Sequence, residues 1–171
     1  MFMKRILLVI FFVMLGSSLV MSGVNFKNNG NGTVTDYETK LIWTRCSMGA
    51  GGVMDNTVNC TGSHGKYNFQ SAITACESLI YAGRSDWRLP NLMELQSILN
   101  MSKTSPPVVN ETYFPNTVQL NYWSSTFFKR YYGNSPVPYN YETAWFVSFL
   151  NSRISADGIV SEHYIRCVAG P

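Results

Sequence analysis

The residues best suited to chemistry lie in an aromatic run. Between Tyr122 and Phe146 there are ten aromatic residues in 25 positions. Trp123, Trp145 and Phe146 fall in strand-like alternation and are expected in the core. Tyr131, Tyr132, Tyr139 and Tyr141 fall in a stretch broken by Gly133, Pro136 and Pro138, which is expected to be a surface loop over 129–143. Asn134, Asn140, Lys129 and Arg130 accompany them. Exposed aromatic faces stack on sugar rings, while amides and cations bind hydroxyls or sulfates. The candidate ligand-binding set is therefore Lys129, Arg130, Tyr131, Tyr132, Asn134, Tyr139, Asn140 and Tyr141. The competing expectation is a loop packed on its own domain, with its hydroxyls satisfied locally.

Other constellations are weaker. The only histidines are His64, in a Gly-rich stretch, and His163, in an expected strand. Ser124-Ser125 lacks the Gly-x-Ser-x-Gly frame of a nucleophile elbow, so no catalytic residue is assigned. His64 stands between Cys60 and Cys76, but no tight Cys-x2–4-Cys pair is present, and zinc is not expected. Asn29-Gly30-Asn31-Gly32 with Asp36 has few carboxylates for calcium and reads as a hairpin turn. No metal or cofactor is expected. Trp87-Arg88-Leu89-Pro90 reads as structural: Trp87 and Leu89 in the core, Pro90 at a helix start, and Arg88 paired with an acidic residue or a carbonyl.

The chain that must position these groups has 171 residues, 46% hydrophobic and 13% charged, which suits one packed domain rather than a disordered chain. Lys4 and Arg5, the apolar run Ile6–Leu15 and small residues up to Ser22 read as a signal peptide over 1–22, leaving a domain over 23–171. Removing two bases leaves eleven basic and ten acidic residues, a charge of +1. Lys129-Arg130 is then the only adjacent basic pair, so a nucleic-acid partner is not expected. No later apolar stretch reaches the roughly 20 residues that span a bilayer. Export makes Cys46, Cys60, Cys76 and Cys167 two expected disulfides, with three pairings open.

The elements follow from periodicity and caps. Thr33–Asp36 and Leu41–Cys46 flank a turn and form a hairpin. Asn68 caps a first helix, with Phe69, Ile73, Cys76 and Ile80 at helical spacing and Gly83 as its stop. Asn91 with Glu94 forms a capping box for a second helix bearing Leu92, Leu95, Ile98 and Leu99. Tyr122–Phe128 and Ala144–Leu150 are expected strands, with Trp145, Val147 and Phe149 on one face. Asp157-Gly158 is an expected turn and Ile159–Val168 the last strand. This order points to an α+β fold, two helices beside antiparallel strands.

Six blocks stand in a specific order: Gly30-Asn31-Gly32-Thr33-Val34-Thr35-Asp36, Leu41-Ile42-Trp43, Trp87-Arg88-Leu89-Pro90 with Glu94-Leu95, Tyr122-Trp123-Ser124-Ser125-Thr126, Ala144-Trp145, and Tyr164-Ile165-Arg166-Cys167-Val168. Together they resemble the Lcl C-terminal domain family, named for the Legionella collagen-like adhesin, over about residues 26–168. The resemblance implies a C-type lectin-like fold, which the formylglycine-generating enzymes share. It also implies a bridge from the first helix to the last strand, Cys76–Cys167, leaving Cys46–Cys60. In the chain-entropy treatment these loops are worth roughly 4–5 and about 3 kcal/mol. The function it implies is adhesin-like, non-catalytic recognition of a glycan or of a host or envelope surface ligand, by a protein exported to a periplasm, the cell surface or the medium. The alternatives are a structural or protein–protein module of the envelope, and an enzyme on the shared fold.

Overall fold

A computed structural model describes residues 25–52, 54, 59–130 and 141–170. The segment 1–22, expected from the sequence as a signal peptide, lies outside the described residues. The described chain forms two antiparallel sheets, two helices and two disulfides. The first sheet has the order β1 (Phe26–Asn28), β2 (Thr33–Asp36), β3 (Ile42–Thr44) and β7 (Val168–Ala169). The second joins β4 (Asn121–Arg130), β5 (Tyr141–Ser148) and β6 (Ile154–Gly158). Helices α1 (Phe69–Glu77) and α2 (Leu92–Ser97) come between the first hairpin and the second sheet in the chain.

Local chemistry sets most of these boundaries. Asn28 Oδ1 accepts the Gly30 amide and Asn31 Oδ1 accepts the Thr33 hydroxyl, so the side-chain oxygens of the first turn are engaged by their own chain. Gly32 sits at φ +83°, and a Cβ there would lie 1.8 Å from the Tyr81 phenol oxygen. Glycine is thus required both for the turn and for Tyr81 to close over it. Asn68 Oδ1 accepts the Ser71 amide and caps α1. Asn91 and Glu94 form the capping box of α2. Glu94 also takes both terminal nitrogens of Arg88 at 2.7 Å. Its burial raises the carboxyl pKa, but the Arg88 hydrogen bond and the Asn91 amide outweigh this and hold it below the usual range.

Two apolar cores lie either side of one extended segment, residues 163–169. Successive side chains of an extended chain point to opposite faces. Ile165, Cys167 and Ala169 enter a core with Cys76, Trp87, Trp123 and Phe146. Val168, with Tyr164 partly buried beside it, enters a core with Val34, Trp43, Leu95, Phe114, Tyr122 and Phe149. The segment's backbone bonds five other stretches of chain. His163 exchanges both hydrogen bonds with Tyr67, and Val168 does so with Arg88. Tyr164 donates to Asn121 O and accepts from the Trp123 amide. Met48 donates to Ile165 O, and Thr44 to Cys167 O. The Cys76–Cys167 bridge, Cα–Cα 5.5 Å, fastens the same segment to α1.

Arg166 lies in the middle of this strap with no solvent exposure. Its Nη1 donates to Thr44 O at 2.8 Å and to Arg45 O, and Nη2 donates to Thr117 Oγ1 at 2.9 Å and weakly to Ser47 Oγ at 3.4 Å. The guanidinium carbon stands 4.8 Å from the centre of the Phe114 ring. All these acceptors are neutral. Burial pushes the Arg166 pKa down to about 10, with the Tyr122 phenol opposing the fall, so it remains charged at neutral pH.

The Cys46–Cys60 bridge, Cα–Cα 5.2 Å, closes the Gly-rich stretch. Gly65 lets the stretch pack against its own residues 49–50: a Cβ there would lie 2.8 Å from Ala50 Cα. Both bridges are those that the family resemblance implies.

Several sequence expectations are corrected. Helix α1 ends at Glu77 rather than running to Ile80, which is 82% exposed. Gly83 belongs to a turn closed by Tyr81 and Arg84. Trp145 is only half-buried and is absent from both cores, because β5 buries Phe146 and Val147 on its two faces near the base. Asp157 and Gly158 close β6 instead of forming the turn, which follows them. Residues 159–167 do not make a continuous strand; they pair with different neighbours residue by residue, and only Val168–Ala169 is regular. Strand β1 was not expected.

His163 is enclosed by Trp123, 4.2 Å between ring centres, and Phe146, at 4.9 Å. Its Nε2 is 3.2 Å from Asp157 Oδ2 but is not aligned for a hydrogen bond. Burial depresses its pKa below 6.5, and the Asp157 carboxylate only partly compensates.

Two predictions follow from the strap. Arg166→Met removes the donors that satisfy the Thr44 and Arg45 carbonyls, and is expected to cost about 3 kcal/mol in urea unfolding. Unchanged or increased stability would contradict the clamp. For His163, the unfolded chain takes up a proton near pH 6.5 while the folded protein still resists it. Stability is therefore expected to fall as pH drops below about 6.5 and to level off below the folded pKa. His163→Phe should flatten that dependence between about pH 5 and 7, as measured by urea midpoints; an unchanged slope would assign it to another group.

Candidate functional site

The second sheet carries the aromatic run outward from the core. At its base Trp123 pairs with Phe146 and Tyr122 with Val147, one pair in each core. The ladder is then interrupted between Trp123 and Phe127. The interruption is anchored rather than loose. Ser125 donates its amide to Pro90 O at 2.7 Å, Thr126 Oγ1 accepts the Leu92 amide at 2.9 Å, and Ser124 Oγ donates to Trp145 O at 2.9 Å. The hairpin base is thereby held against the start of α2, as bulges commonly do where a strand is re-aimed.

Beyond the bulge the pairs are Phe127↔Ala144, Phe128↔Thr143, Lys129↔Glu142 and Arg130↔Tyr141. Paired residues share a face, and adjacent pairs alternate. Phe127 lies on the α1 side, 6.2 Å from Phe69, and is 45% exposed. Phe128 lies on the other side, 37% exposed, with its ring 5.4 Å from that of Trp145. The Thr143 hydroxyl donates to Phe128 O, and the Ile159 amide donates to Glu142 O. A half-open aromatic pair thus stands on a braced ladder. Its chemistry is stacking against an apolar ring face, with Thr143 close by.

The sequence-selected residues divide into two groups. Lys129 and Arg130 belong to β4 and Tyr141 to β5, so these three extend the ladder where a loop was expected from residue 129. Glu142 and Thr143 are likewise strand residues. Tyr131, Tyr132, Asn134, Tyr139 and Asn140 lie outside the described residues. The half-open pair Phe128–Trp145 escaped the sequence reading, which placed Trp145 in the core. The available signal was period two: adjacent Phe127 and Phe128 on a strand take opposite faces.

Three of the groups whose side chains could do chemistry, Ser124, His163 and Tyr122, are engaged structurally. Ser124 is tied to Trp145, and His163 is enclosed by rings. Tyr122, whose phenol burial pushes up, bonds Ser47 and the Val118 amide. Among the described residues no three His, Cys, Asp or Glu side chains gather as metal ligands would.

No curated protein matches the sequence. The Lcl C-terminal domain profile matches residues 32–169. That span runs from the Gly32 turn to the end of β7, and takes in both cores, both disulfides, the strap and the hairpin. The chain therefore belongs to the Lcl C-terminal domain family.

Proposed function

We propose that this domain is an exported, non-catalytic recognition module with a C-type lectin-like fold, binding a glycan or another host or envelope surface ligand through the outer end of the β4–β5 hairpin. The observation that carries the reading is the Phe128–Trp145 pair, left half-open on a ladder whose base is fixed in both cores. Beside it run Lys129, Arg130 and Tyr141 in register and, in sequence, Tyr131, Tyr132, Asn134, Tyr139 and Asn140. Aromatic faces give stacking, and the basic pair gives attraction for sulfate or carboxylate groups. Two disulfides suit an oxidising compartment, as does a leader over 1–22. Among the described residues no helix is long and apolar enough to cross a membrane.

A glycan array with residues 23–171 tests the reading, followed by titration of each hit. Phe128→Ala/Trp145→Ala is expected to weaken binding by about tenfold or more with the fold intact. Tyr131→Ala/Tyr132→Ala should act in the same direction. A sulfated ligand should bind more weakly as salt rises, because exposed charge is screened within about 8–10 Å at physiological ionic strength. Unchanged affinity in both double variants would remove the site from the hairpin. An array with no hits would favour a protein–protein module of the envelope.

A further inference from the structure

A second concave surface lies elsewhere on the domain, between β1, the end of α2 and residues 100–113. It is a groove of about 600 Å³, within the roughly 300–1,000 Å³ of small-ligand sites. None of its lining residues is charged. Phe26 and Tyr113 form one wall, with ring centres 5.6 Å apart and planes at 47°. Phe26 is held from behind by Phe114, 5.4 Å away edge-on. The polar groups besides the Tyr113 phenol are Asn25, Ser97, Asn100, Ser102 and Asn110, with the Ser97 hydroxyl donating to Glu94 O.

These polar groups are set in advance. Asn100 Oδ1 accepts the Ser102 amide, and Asn110 Oδ1 accepts the Thr112 amide. Both carboxamides are thereby oriented, with their Nδ2 groups left to donate. The Tyr113 backbone is fixed by its bond to Asn110 O, and Asn25 by the Tyr37 amide on its carbonyl. Among the described residues the Tyr113 hydroxyl and the Asn25 side chain make no hydrogen bond.

We propose that this groove is a binding site for an uncharged saccharide. A pyranose has an apolar C–H face and a rim of hydroxyls. The Phe26–Tyr113 corner fits the face, and the amide donors of Asn25, Asn100 and Asn110 fit the hydroxyl oxygens. A charged ligand would leave water for a groove with no opposite charge, which is unfavourable. The fixed carboxamides lower the ordering cost of binding. This site is separate from the hairpin and does not rest on the hairpin reading.

The test is titration of cellobiose, chitobiose, lactose and maltotriose into residues 23–171, followed by amide chemical shifts. At least one sugar should bind, with shifts centred on Asn100, Asn110 and Tyr113 and no dependence on salt. Tyr113→Ala should weaken it about tenfold. Asn110→Asp keeps the acceptor for the Thr112 amide but removes the donor, and should weaken binding with stability unchanged. Phe128→Ala/Trp145→Ala should leave it intact. No binding by any of the four sugars up to about 10 mM would overturn the proposal. So would binding that survives both groove variants, or binding that is lost only in the hairpin variant; the last result would place the sugar at the hairpin instead.

Discussion

The fold depends on one extended segment serving two cores at once. Residues 163–169 put Ile165, Cys167 and Ala169 on one side and Val168 on the other, while their backbone bonds five separate stretches of chain. Neither core closes without it. Burying Arg166 in such a segment removes a cation from water, an expensive step unless its donors are satisfied. The Thr44 and Arg45 carbonyls, the Thr117 hydroxyl and the Phe114 ring supply that compensation. The same guanidinium gives donors to carbonyls at the end of β3 that the short β7 does not reach, while its Nε stays buried without a hydrogen bond.

This arrangement explains how a small domain holds candidate recognition surfaces rigidly. The hairpin is anchored at its base by Trp123 and Tyr122, one in each core, and by the Pro90 and Leu92 contacts of the bulge. Its outer half need not complete the core, which leaves Phe128 and Trp145 available to a ligand. The groove is fixed differently, by β1 pairing with β2 and by Asn side chains that hold the backbone of residues 100–112. The disulfides reinforce the strap and the Gly-rich stretch.

What could be read from the sequence was local. The Asn68 cap, the Asn91–Glu94 box and the turn between Thr33–Asp36 and Leu41–Cys46 depend on neighbours within a few residues. Apart from the Cys76–Cys167 bridge that the resemblance implies, what could not be read was tertiary. Periodicity carries α1 on to Ile80, but the Cys76–Cys167 tether and the burial of Leu79 turn the chain away after Glu77. Alternation marks 159–168 as extended without revealing that its partners change at each step. A single arginine reads as a surface residue, so the buried clamp at Arg166 carries no sequence signal beyond its place in a family block. At the candidate site, strand pairing converted Lys129, Arg130 and Tyr141 from loop to ladder, and the half-open Trp145 became visible only once both faces of β5 were filled.

Native-state hydrogen exchange, with both disulfides intact, tests the central role of the strap most directly. The amides of His163, Tyr164 and Val168, and those of Thr44, Met48, Arg88 and Trp123 that donate to the strap, should exchange only through global unfolding. Their opening free energies should equal the stability measured by urea. If these amides opened well below that value while α1 and the β2–β3 pair stayed protected, the strap would be an accessory to cores that stand without it, and the account would be contradicted.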